Sequence, residues 1–166
     1  REKTPKLLLS GAFHQNNLAR RTQGQLGGDL FEQKTMKSVL LDAMLKYNGW
    51  AFMSSYMSRS AKDPIAFNPD DITEFNYVPV GSGMDYQLSY VFPTNYEIIG
   101  RFSTQNMHDD IKALTPDSKQ YSLGVTKYLW EHAFKLQGEV TMSDLDYLDG
   151  SNKQNWYVRF QVEIGI

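Results

Sequence analysis

Across Ser38–Arg59, apolar and polar residues alternate with period two on either side of Asn48-Gly49, and a chain patterned this way satisfies itself as a hairpin of two-faced strands. Asn-Gly is the favoured two-residue hairpin turn because both of its positions need positive φ. The turn sets the register. Tyr47 falls opposite Trp50, Leu45 opposite Phe52, Met44 opposite Met53 and Leu41 opposite Tyr56. One face then carries Val39, Leu41, Ala43, Leu45, Tyr47, Trp50, Phe52 and Tyr56, and the other carries Ser38, Asp42, Lys46, Ser55 and Arg59. Each arm runs to roughly ten residues, the length at which a tilted strand crosses a bilayer.

The pattern recurs along the whole chain. Met84, Tyr86, Leu88, Tyr90 and Phe92 alternate with Asp85, Gln87 and Ser89; after Pro93-Thr94-Asn95, Tyr96, Ile98, Gly100 and Phe102 alternate with Glu97, Arg101 and Ser103. Tyr121, Leu123 and Val125 follow, then a turn at Leu129–His132, then Phe134 to Met142 against Lys135, Gln137, Glu139 and Thr141. A final strand sets Trp156, Val158, Phe160, Val162, Ile164 and Ile166 against Tyr157, Arg159, Gln161 and Glu163. An opening strand over Lys6–Gln15 makes eight, in a single domain covering 1–166.

Connections alternate in length. Tight turns at Asn48-Gly49, Pro93–Asn95 and Leu129–His132 alternate with long segments at Asn16–Thr35, Ser60–Gly81, Gln105–Lys119 and Leu145–Asn152. Short turns at one end and long loops at the other are how an antiparallel up-and-down transmembrane β-barrel of the Gram-negative outer membrane is built, with the short turns and the C-terminus periplasmic. Tyr47, Trp50, Phe92, Tyr96, Tyr128 and Trp130 collect at the short-turn end, where a lipid-facing aromatic girdle belongs, and Trp156 joins the lipid-facing set on the last strand.

Composition leaves this reading open and closes others. A mean hydropathy of -0.48 suits an ordinary soluble domain, and no run approaches the ~18 apolar residues of a spanning helix, which is uninformative about spanning strands. A formal net charge of -2, with no basic patch beyond Arg20-Arg21, argues against nucleic acid as a partner. Without cysteine there is no disulfide or thiolate metal site. Arg1–Lys6 lacks an apolar leader, so the chain is expected to begin after a signal peptide or, preferably, in mid-protein. A soluble lipocalin-like barrel would alternate too, with its apolar set inward around a ligand. Loops confined to one end, the girdle, and the mid-strand charges Asp42, Arg101, Glu139 and Arg159 favour the membrane.

Over Val39–Tyr56 (VLLDAMLKYNGWAFMSSY), Tyr86–Phe102, Gln120–Tyr128 (QYSLGVTKY) and Trp156–Ile164 (WYVRFQVEI), the chain resembles Bacteroidetes members of the phosphate-selective porin O and P family. The resemblance covers nearly all of the chain, corresponds to the C-terminal half of a full-length member, and rests on strand patterns of modest specificity. It implies a sixteen-stranded, usually trimeric barrel that passes small anions, and a last strand read by the barrel-assembly machinery. Ile166 stands where proteobacterial barrels commonly end in Phe, a departure that bears on recognition by a foreign assembly machine. No phosphate-binding residue of the family maps onto these positions.

The function expected is passive diffusion of small hydrophilic solutes or anions, phosphate among them. The alternatives are a structural or accessory barrel subunit of an outer-membrane complex and the soluble ligand-binding barrel. Selectivity would come from charges on the lumen wall. Those expected to line it are Lys46, Arg59, Arg101, Lys135 and Arg159 with Asp42, Asp85, Glu97, Glu139 and Glu163, two signs in near balance. Cross-strand salt bridges and hydrogen bonds that stiffen the wall are the favoured role for them. His14, His108 and His132 are too dispersed to share a metal, and nothing near His14 supplies an orienting carboxylate, so neither an enzyme nor a cofactor is expected. Asp144–Gly150 has carboxylates and a glycine but not EF-hand spacing, and reads as a solvated loop, bridged to lipopolysaccharide by divalent ions; Asp70-Asp71 and Asp109-Asp110 read as solvated too.

Overall fold

A computed structural model describes residues 2–130 and 133–165. Ten strands run β1 (Lys6–Arg21), β2 (Asp29–Tyr47), β3 (Trp50–Ala61), β4 (Ile65–Phe67), β5 (Phe75–Tyr77), β6 (Gly81–Val91), β7 (Tyr96–Met107), β8 (Asp117–Trp130), β9 (Phe134–Asp146) and β10 (Asn152–Ile164). Eight of them form one antiparallel up-and-down sheet in the order β1-β2-β3-β6-β7-β8-β9-β10, while β4 and β5 pair as a small hairpin inside the connection between β3 and β6. Among the described residues β1 and β10 are the two edges and do not pair with each other, so the sheet is open.

The Asn48-Gly49 turn behaves as its chemistry requires, with φ of 46° and 91° at its two positions. The register that follows has Tyr47 opposite Trp50, Leu45 opposite Phe52, Met44 opposite Met53 and Leu41 opposite Tyr56, as the alternation predicts. Pro93–Asn95 closes the second tight turn, with Asn95 at φ 61° and the Phe92 amide donating to the Tyr96 carbonyl at 2.7 Å. The third begins later than predicted: Leu129 and Trp130 are still in β8, carried past a bulge between Tyr128 and Trp130. His132 and Ile166 lie outside the described residues.

The long connections are shorter than the alternation suggests. β1 and β2 continue as a ladder to Arg21 and from Asp29, through much of the predicted Asn16–Thr35 loop, and β9 and β10 leave only 147–151 of the predicted Leu145–Asn152 loop. Backbone pairing there outlasts the hydrophobic period, because beyond the apolar stretch neither face has to be apolar while every N–H and C=O still needs a partner.

Exposure gives the sheet its curvature. On the polar face Ser89, Thr126 and Thr141 are at most 3% exposed, although their chain neighbours Leu88, Val125 and Val140 are 37–49% exposed on the other face. Small residues on the apolar face, such as Ser54 and Ala43, stay partly open even between large neighbours. Across β6–β9 a sheet curled around its polar face produces this difference, crowding the concave side and splaying the convex one, while nearer the β1 edge Leu8, Met53 and Met57 on that side stay 38–58% exposed.

Candidate functional site

Strand pairing puts all ten predicted wall charges on one face. Lys46, Ala51, Ser89, Ile99, Gly124, Glu139 and Arg159 share one cross-strand row; Asp42, Ser55, Asp85, Ser103, Gln120 and Ser143 share another two rows away. Arg101 lies in the row between them, opposite Gln87 and Ser122. Glu97 pairs with Thr126, Lys135 with Tyr128 and Glu163, and Arg59 with Ser38 and Gly81, all with the same facing.

Partners neutralise part of this charge. Arg101 Nε lies 2.6 Å from Asp85 Oδ2, and Lys135 Nζ lies 3.0 Å from Glu163 Oε2. Three carboxylates are met by hydroxyls instead: Asp42 accepts from Ser55 at 2.7 Å and Ser10 at 3.2 Å, Glu139 accepts from Thr141 at 3.2 Å, and Glu97 accepts from the Tyr128 hydroxyl. Arg59 donates to Ser38 Oγ at 3.4 Å, and the Arg159 guanidinium sits 5.9 Å from the Tyr157 ring. Among the described residues Lys46, Arg59 and Arg159 have no carboxylate within ion-pair distance. Two open depressions mark the middle of the concave face. One of about 420 Å³ lies among Asp42, Ser55, Asp85, Arg101, Ser103 and Gln120, and one of about 260 Å³ lies among Gln87, Arg101, Ser122, Thr126, Gln137 and Glu139.

The opposite face is a predominantly apolar belt, interrupted by Ser54 on β3 and by Lys127 near the short-turn end of β8. It runs from Leu7 to Phe13 on β1, Val39 to Tyr47 on β2, Trp50 to Tyr56 on β3, Met84 to Tyr90 on β6 and on to Phe92 just past its end, Tyr96 to Phe102 on β7, Tyr121 to Trp130 on β8, Phe134 to Met142 on β9 and Trp156 to Ile164 on β10. At 3.4 Å per residue these stretches measure about 20–27 Å along the strands. Nothing covers them: Leu41, Leu88, Leu123, Val158 and Phe160 are among the many large side chains left exposed. Past the long-loop edge the same face turns polar at once, at Lys37, Ser58, Ser82, Thr104, Lys119, Asp144 and Gln154. Both belt edges step across the hydrogen-bonded rows in the same direction, by four to six residues from β1 to β10. At 4.8 Å between strands that stagger is a lean of roughly 20–30° from the belt normal.

Aromatic residues line both edges. Tyr47, Trp50, Phe92, Tyr96 and Trp130 face outward at the short-turn end, where Trp50 stacks on Tyr90 at 4.7 Å and the Lys127 ammonium sits 3.9 Å over the Tyr96 ring. Tyr128 shares that end, but the register turns it onto the polar face, where it meets Glu97; the bulge after it restores Trp130 to the belt. Trp156 marks the opposite edge, in a row with Tyr86, Phe102, Tyr121 and Met142. This second aromatic edge is spread over four strands and shows only once the strands are in register.

Sequence periodicity also misses what happens where the polar face meets the long loops. Met36, Ala61 and Met107 continue that face but are apolar, and with Ala19 they are covered by Val78, Val80 and Ile111. The 62–80 segment is held there by several bonds. The His108 amide donates to the Val80 carbonyl at 3.0 Å, Asn76 Nδ2 to the Asp29 carbonyl at 2.7 Å, and the Tyr77 and Thr115 hydroxyls are 2.6 Å apart, while the Val78 amide closes the segment on itself through the Pro64 carbonyl at 2.9 Å. The segment rejoins the sheet at Gly81, whose φ of 144° and approach to the Asn106 carbonyl leave no room for a Cβ.

The histidines remain apart: His14 faces Ser38 on the polar side, and His108 opens the 3-10 turn at Asp109–Ile111. Among the described residues no three His, Asp or Glu side chains converge as a metal site. In the acidic 144–150 stretch Asp146 binds Lys119 and Asn152, while Asp149 accepts from the Ser151 amide and hydroxyl at 2.8 and 2.6 Å. Those two bonds hold the Asp149 carboxyl below the usual range. A lowered folded-state pKa means that its contribution is full above the ordinary carboxylate value and lost as pH falls through the lowered one. The Ser151 amide is therefore expected to exchange faster, relative to its intrinsic rate, in acid than at neutral pH. Asp149→Asn should weaken that dependence in hydrogen-exchange measurements.

No family model, no curated protein and no solved structure matches this chain.

Proposed function

We propose that this chain is part of the wall of an outer-membrane porin, with the belt against lipid and the concave face lining a water-filled path for passive diffusion of small hydrophilic solutes. The observation that carries the reading is the belt: eight strands, each predominantly apolar over about one hydrocarbon thickness on the convex side, with aromatic edges. A lipocalin-like barrel would put this apolar set on the concave side, where Ser89, Thr126 and Thr141 lie. In hydrocarbon the outer backbone groups of β1 and β10 must be paired. Further strands are therefore expected at both edges, in keeping with the sixteen-stranded, trimeric barrel that the family resemblance implies.

A second reading, a plugged or accessory barrel in a larger complex, draws on the 62–80 segment folded over the long-loop end of the polar face. Conductance separates the two. The native-length protein in planar bilayers is expected to give discrete ion-conducting steps; silent insertion would reject the open porin.

A further inference from the structure

We infer that this wall selects for uncharged, hydroxyl-bearing solutes, such as small sugars and polyols, over anions; the inference rests on the porin reading and names its cargo. An anion path needs basic side chains that face the water with their charge unspent, because a carboxylate beside a guanidinium removes the field that would concentrate the anion. The concave face has the opposite arrangement at its centre. Arg101, the one basic residue shared by both depressions, is bound to Asp85 at 2.6 Å. Asp42 and Glu139, the other charges lining them, are turned toward hydroxyls rather than cations. The basic residues without carboxylate partners, Lys46, Arg59 and Arg159, line neither depression.

What remains at the centre is a field of neutral donors and acceptors. Ser55, Ser103, Gln105, Ser118 and Gln120 line one depression, and Gln87, Ser122, Thr126 and Gln137 line the other. Hydroxyls and amides both donate and accept, so they can exchange hydrogen bonds one for one with a polyol shedding its water, at no electrostatic cost. A dianion crossing the same wall would pass Asp42 and Asp85 in a row with no unpaired cation among the described residues, while Lys46 and Arg159, which share the row of Glu139, line neither depression.

The test uses the native-length protein in liposomes and planar bilayers. Arabinose is expected to enter liposomes faster than inorganic phosphate, and a potassium chloride gradient to give a reversal potential corresponding to a permeability ratio within about twofold of unity. Asp85→Asn, which leaves the Arg101 charge uncompensated, is expected to raise chloride preference by about threefold or more. Phosphate entering faster than arabinose, a strongly anion-selective wild type, or an Asp85→Asn protein with unchanged selectivity would overturn the inference while leaving a porin. No permeation by either solute would overturn the porin reading and this inference with it.

Discussion

Leu88→Arg is expected to destabilise the sheet in lipid by about 2–4 kcal/mol, whereas Met53→Arg costs under about 1 kcal/mol. Both residues are apolar and lie on adjacent strands, Leu88 opposite Phe52 and Met53 opposite Gln87. Hydrophobicity does not separate them; facing does. Leu88 is half exposed in the middle of the convex belt, where an arginine would have to leave water for hydrocarbon. Met53 is on the concave face with Asp42, Asp85 and Arg101, where a guanidinium stays hydrated. Folding into vesicles, followed by urea titration and by the shift in gel mobility on heating, gives both values. A soluble barrel that turned Leu88 into its interior would give the same order, and is distinguished by folding in water without vesicles.

Val78→Asp is expected to release the 62–80 segment from the concave face without unfolding the sheet. Val78 has no exposed surface and packs in the cluster with Met36, Val80 and Ile111, so a carboxylate there would be buried among apolar side chains. A cost of about 3 kcal/mol or more falls on a local opening rather than on global unfolding, because the segment's contacts are confined to one end. The Val78 amide, bonded to Pro64, and the His108 amide, bonded to Val80, should then exchange on the order of a hundredfold faster, with the β2–β3 ladder unchanged. Conductance should rise, since the segment covers the mouth of the polar face. Ile72→Asp, at the exposed tip of the same segment, is the matched control and should alter neither.

These contrasts also locate what period-two reading could see. The β2–β3 register, the two faces and the first two tight turns were legible because Asn48-Gly49 fixes a pairing and each slip by one residue would exchange the faces. Strand ends were not, since Asn16–Arg21 and Asp29–Thr35 pair without alternating. Tyr128 was grouped with the girdle although it stays in step with Ser122, Gly124 and Thr126 on the polar face; it is Trp130 whose outward facing depends on the bulge after Tyr128, and no single-strand pattern reports a bulge. The cover over Met36 and Met107 was illegible because Val78, Val80 and Ile111 reach it from two different connections. The ten charges expected on one face do share one, but which of them pair depends on neighbours brought together by the ladder, as with Asp85 and Arg101.

The central claim, that the apolar face meets lipid and the polar face meets water, is open to one direct reading along β6. The chain has no cysteine, so single cysteines can be placed one at a time from Met84 to Val91 without background. With the native-length protein in lipid bilayers, a charged, membrane-impermeant thiol reagent should label positions 85 and 87 and spare 84, 86, 88 and 90, while a lipid-soluble quencher shows the inverse; position 89, buried in the structure, is left out of the comparison. Labelling with the opposite alternation, or with none, would contradict a membrane-spanning wall.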